Sequence, residues 1–272
     1  RNYIGTDASG NSPLGNVFEG IEVEGAHNNL IGGTTPAERN IISANGGPGI
    51  RYETASAGNI ISGNFIGTNG AGDADLGNVS DGIYFAEAGA NNIIGGSTGT
   101  TPGGPCTGAC NLISGNNGSG FRALNTAAPT TIQGNVIGAT VAGTGAIGNS
   151  SPGVALVSTS GALVGGTNPA QGNVIAFNSS AGVNVDGGSA AGDTIRGNSI
   201  HSNGALGIDL TNGANTGITP PVNVSFNPPA NQVTGETCSF CIVEVFSDSA
   251  DEGRISHGTV VADVFGDWEI FG

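Results

Sequence analysis

Gly63-Asn64-Phe65-Ile66-Gly67-Thr68 decides how this chain is read, because its Asn-x-Ile centre keeps returning. The copies begin at Asn2, Asn40, Asn64, Asn111, Asn135, Asn173 and Asn198. Each has isoleucine third: Ile4, Ile42, Ile66, Ile113, Ile137, Ile175 and Ile200. The spacings are 38, 24, 47, 24, 38 and 25 residues. Two positions kept while the distance between copies stretches is the signature of a repeat architecture with loops of changeable length.

Working outward, a second phrase opens each unit: glycine, then alternating residues. It runs Gly20-Ile21-Glu22-Val23, with counterparts starting at Gly49, Gly82, Gly120, Gly153, Gly182 and Gly207. Alternation over four residues is strand periodicity. Between opening strand and Asn-x-Ile strand lies a third short apolar run, centred on Ile31, Ile61, Ile94, Ile132, Val164 and Ile195. An apolar 3.6-residue period is missing, so helix is expected to be nearly absent. Three strands and three turns per unit predict coils stacked as a parallel β-helix of about seven turns, roughly 34 Å long.

Loop lengths alternate. Some coils carry an insertion after the middle strand (Gly32 to Arg39, Gly95 to Cys110, Gly165 to Gly172). The others carry one after the Asn-x-Ile strand (Gly5 to Asn16, Gly67 to Asn78, Gly138 to Asn149). The unit is therefore expected to be a pair of coils. Isoleucines should face inward in files, and the Asn column should stand at a corner, with amides bonded to neighbouring amides or turn backbone.

Regularity ends after Leu210. Residues 1–218 are expected to form the helix, and 219–232, with Pro220, Pro221, Pro228 and Pro229, a linker. Residues 233–272 read as a short irregular, β-sandwich-like segment, either a truncated domain or a cap. The chain starts within a repeat and stops within a strand, which fits a fragment of a longer protein.

Composition narrows the function. Six arginines, no lysine and 21 acids give a net charge of −15. Such a surface repels nucleic acid and anionic membranes. No apolar run is long enough to span a bilayer. Cys106/Cys110 and Cys238/Cys241 form two local pairs, which suit short disulfides and an oxidising compartment. A four-thiolate zinc site is the alternative. Five sequons, at Asn78, Asn117, Asn149, Asn178 and Asn223, are what chance provides in a chain rich in Asn and Ser.

The phrases Gly63-Asn64-Phe65-Ile66-Gly67-Thr68 and Ile31-Gly32-Gly33-Thr34 resemble right-handed parallel β-helix repeat proteins, especially large secreted or surface-displayed bacterial ones. Ser202 to Leu210 is similar to the phrase that closes the rod in those proteins. Val243-Glu244-Val245-Phe246-Ser247-Asp248 with Gly266-Asp267-Trp268 resembles the Ig-like β domain that often follows. The resemblance implies right-handed coiling and an extracellular or cell-surface location. It leaves function open, because the scaffold hosts lyases, hydrolases, epimerases and binding proteins.

If Ile21 and Val23 face inward, their neighbours face out. The exterior then presents Glu22, Glu24, Arg51, Glu53, Tyr84 and Arg122 on successive coils. The resemblance makes this strip the place for polysaccharide, with the arginines and Tyr84 stacking on and hydrogen-bonding sugar. The plainer reading is a solvated face whose arginines pair with Glu22, Glu24 and Glu53. A hydrolase needs two carboxylates at suitable separation, and the dense aspartate cluster of related hydrolases is missing. A lyase needs a base beside a calcium-held acid cluster, and neither arginine adjoins an aspartate trio in the sequence. His27, His201 and His257 are isolated and expected at the surface. No cofactor is required; calcium is the ion considered, at Asp73 with Asp75 or at Asp248, Asp251 and Glu252, although such clusters are also ordinary turn chemistry.

The expectation is a non-catalytic structural or adhesive segment of a secreted bacterial surface protein. The runner-up is a carbohydrate-active or polysaccharide-binding protein; as an enzyme it would be a polysaccharide lyase or glycoside hydrolase. A third reading is a filament subunit that associates end to end with further copies.

Overall fold

The computed structural model describes residues 1–98, 105–126, 129–247 and 253–271. Two compact units emerge, Arg1–Thr216 and Gly217–Gly272. Three parallel sheets make the first: one of seven opening strands, one of six middle strands and one of seven Asn-x-Ile strands. Each strand pairs with its counterpart one coil on, as Ile42 does with Ile66 and Ile66 with Ile113. This unit is a parallel β-helix.

The β-helix is filled by files of side chains. Ile42, Ile66, Ile113, Ile137 and Ile175 are wholly buried, as are Ile61, Ile94, Ile132 and Val164 from the middle sheet. The opening strands add Tyr52, Phe85 and Phe121, where the first two rings stack at 4.8 Å and Phe121 meets Phe85 edge-on. Burying each such side chain contributes about 2–3 kcal/mol. Glycine before an opening strand is a packing requirement: a Cβ on Gly82 would lie 2.6 Å from Ile113 Cγ2 and 2.7 Å from the Gly120 carbonyl.

Corners are held by asparagine. Nδ2 of Asn2, Asn40, Asn64, Asn111, Asn135 and Asn173 donates to Oδ1 of the next in the column, ending on Asn198, at 2.8–3.2 Å. A second ladder, which the Asn-x-Ile reading misses, runs through Asn16, Asn45, Asn78, Asn116, Asn149, Asn178 and Asn203 at 2.9–3.0 Å. A third joins Asn29, Asn59 and Asn92, then stops at Thr130, whose buried hydroxyl has no hydrogen-bond partner among the described residues. These amides satisfy backbone groups that the turns would otherwise bury unpaired.

The middle residue of Asn-x-Ile is not a free position. Ile41, Phe65, Leu112, Val136 and Val174 face away from the main core and are buried in a second one with Cys106 and Cys110. Insertions cover this face and bond to one another. Gly70 N–H donates to the Gly10 carbonyl, Val141 N–H to Gly72, and Cys106 N–H to Val141. Arg39 adds its guanidinium 4.0 Å above the Phe65 ring. A loop reaching across two coils explains why lengths alternate in pairs. At the far end, Asn215 of the 3₁₀ turn Ala214–Gly217 takes the place of a further middle strand. It accepts from Asp193 N–H at 3.0 Å and donates back to the Asp193 carbonyl at 2.9 Å.

The second unit is antiparallel. Val222–Asn227, Gln232–Glu236 and Asp267–Phe271 form one sheet; Ile242–Ser247 and Ile255–Val261 form the other. Val243, Val245, Ala262 and Trp268 are its core. The stretch read as a proline linker thus contains a strand, Val222–Asn227, and the 3₁₀ turn Pro228–Ala230. Proline is tolerated there because it occupies the first turn of the 3₁₀ segment, where no N–H is needed. No helix among the described residues is long and apolar enough to cross a membrane.

Candidate functional site

Alternation fixes which side chains leave the β-helix on its opening-strand side. Pairing register aligns Glu22, Arg51, Tyr84, Arg122, Ala155, Asn184 and Asp209 in one outward file. Glu24, Glu53, Ala86, Leu124, Val157, Asp186 and Thr211 form the other. Most of these residues are half-buried; Glu22 and Glu24 are exposed.

Both arginines of the strip are engaged. Arg51 Nη1 donates to Glu19 Oε1 at 2.8 Å, and Nη2 donates to Glu53. The Glu19 contact comes first among the causes that raise the Arg51 pKa and lower that of Glu19. Glu22 and Glu24, offered as partners by the sequence, make no ion pair among the described residues. Arg122 instead lies over Tyr84, 5.5 Å from the ring centroid. Asp81 Oδ1 accepts from the Ser119 N–H at 2.6 Å and is nearly fully buried. Burial pushes its carboxyl up, opposed by Ser119 and by the Arg122 charge.

Glu19 and Asp81 are functional candidates that strand reading misses. Each directly precedes the glycine that opens its strand, in a column otherwise holding Pro48, Ser119, Pro152, Ala181 and Leu206. An acid in that column is the signal that would have found them.

The remaining candidates are placed elsewhere. Asp73 accepts from Asn69 Nδ2 at 2.8 Å, and Asp75 from the Gly77 N–H at 2.8 Å, so both serve their own turn. Among the described residues no group of three or more His, Cys, Asp or Glu converges as a metal site. Asp248, Asp251 and Glu252 lie outside the described residues. The four cysteines are paired as two disulfides, Cys106–Cys110 and Cys238–Cys241. This removes the thiolates a zinc site would need. His201 is not at the surface: it is buried, with Phe177 packed edge-on at 5.7 Å. In the second unit, residues of both sheets line a half-open, largely apolar pocket of about 630 Å³, among them the exposed pair Ser247 and His257, whose Oγ and Nε2 lie 2.6 Å apart.

No family model, curated protein or solved structure matches this chain.

Proposed function

We propose that the chain is a non-catalytic structural and adhesive segment of a secreted bacterial surface protein, whose β-helix holds polysaccharide on its opening-strand face. The observation carrying this reading is the Arg122 guanidinium over the half-exposed Tyr84 ring. An aromatic ring offers sugar an apolar platform, and a guanidinium offers hydroxyls a fixed fork of donors. The Asn-x-Ile sheet has no such room, because insertions bury its exterior. Arg51, bracketed by Glu19 and Glu53, keeps its proton and cannot serve as the base of eliminative cleavage. Two disulfides suit an oxidising compartment.

Glycan-array binding tests the reading, with release of reducing ends and unsaturated uronates followed in the same samples. The wild type should bind and release nothing. A Tyr84→Ala/Arg122→Ala variant with an unchanged circular dichroism spectrum should lose binding. Failure to bind any polysaccharide, or turnover of one, overturns it.

A further inference from the structure

The strip is chemically graded along its length. Its middle coils are apolar or aromatic, with Tyr84, Ala86, Leu124, Ala155 and Val157 adjacent in register. Carboxylates stand at both ends: Glu22, Glu24 and Glu53 on the first coils, Asp186 and Asp209 on the last. The two guanidiniums of the strip do not balance these five carboxylates. Arg51 is spent on Glu19 and Glu53, and Arg122 is held over Tyr84 beside Asp81. With no lysine anywhere in the chain, Arg122 is the strip's one cation outside an ion pair among the described residues, and carboxylates outnumber guanidiniums on it five to two.

From this charge complementarity we infer that the occupant of the opening-strand face is a polysaccharide bearing free amino groups. Its sugar rings lie on Tyr84, Leu124 and Val157, and its ammonium groups meet the acids at either end. Exposed Glu22 and Glu24 have no ion-pair partner among the described residues, so a ligand ammonium would meet carboxylates that need not first break a bridge. A polyanion would instead meet the acid surplus and lose affinity. The inference rests on the glycan-binding reading of this face and specifies its ligand.

Titration calorimetry with chitosan oligomers, their fully N-acetylated counterparts and oligogalacturonate tests it. Chitosan should bind, and the other two about ten-fold more weakly or not at all. Two variants separate a site from bulk attraction of a polycation to an acidic protein. Tyr84→Ala leaves net charge unchanged and should weaken chitosan about three- to ten-fold. Glu22→Gln/Glu24→Gln removes little of the total charge of −15 and should weaken it at least as much. Chitosan binding that both variants leave intact overturns the inference. So does equal or tighter binding of the acetylated or uronate oligomers, an outcome that leaves glycan binding itself standing. Absence of binding by all three overturns it as well, and a blank glycan array beside it removes the underlying reading too.

Discussion

Asn64 Nδ2 donates to Asn111 Oδ1 at 3.2 Å across 47 residues of chain, the longest gap in its ladder. The bond is made as it is across the shorter gaps. Asn111 in turn donates to Asn135 Oδ1 at 3.0 Å and to the Ile61 carbonyl at 2.8 Å. Asn111→Ala should therefore cost about 3 kcal/mol, since it strands several buried groups at once. Asn2→Ala, at the exposed end of the same ladder, should stay within about 0.5 kcal/mol. Urea unfolding followed by circular dichroism compares the two.

Tyr52 is buried with its hydroxyl unpaired among the described residues while its ring stacks on Phe85. Tyr52→Phe keeps the stack and removes the orphan, so stability should be unchanged or rise by up to about 1 kcal/mol. Desolvation raises the tyrosine above its ordinary value of 10.0. The neutral form is thus favoured in the fold, and its contribution is complete below pH 10 and lost as pH climbs beyond it. Wild type should weaken between about pH 10 and 12 more steeply than Tyr52→Phe in denaturant melts.

Asp81 is likewise an acid that burial keeps toward its neutral form. Burial raises its carboxyl, so the ionised form costs stability at neutral pH. Asp81→Asn keeps an acceptor for the Ser119 N–H and should stabilise the protein at pH 7 by about 1 kcal/mol. The gain should vanish near pH 3, where wild type is also neutral. Thermal melts at the two pH values measure it.

Glycosylation tests the ladders independently. Asn78, Asn149 and Asn178 are buried rungs, whereas Asn117 and Asn223 are exposed. Expressed in a glycosylating host, the folded protein should carry glycans at Asn117 or Asn223 alone. Peptide mapping that finds sugar on a rung would contradict the stacked amides.

Much of this architecture is legible in one dimension because a coil repeats its demands. Ile66 must face inward and its successor must stack on it, so the residue is kept. Phe65 reads as variable because the second core asks for bulk of any shape: tyrosine, isoleucine, phenylalanine, leucine and valine all occur in its column. The second Asn ladder is hidden in turns, where Asn78 and Asn149 look like ordinary loop residues and carry chance sequons. On the strip, the order Glu22–Arg51–Tyr84–Arg122 follows from alternation, and Glu53 is among the partners the sequence offers Arg51, whereas Glu19 is not. Register sets Glu22 beside Arg51, but the turn delivers Glu19 to Nη1.

The amino-acid order alone determined the stacked parallel coils, the inward isoleucines and the outward strip, because strand alternation and one-per-coil repetition are local rules. Tertiary structure decided which exterior was covered and which stayed open, which carboxylates took Arg51, and that Arg122 lies on Tyr84. Those outcomes depend on where the insertions fold back and how the turns aim their side chains. Contacts between residues tens of positions apart set both.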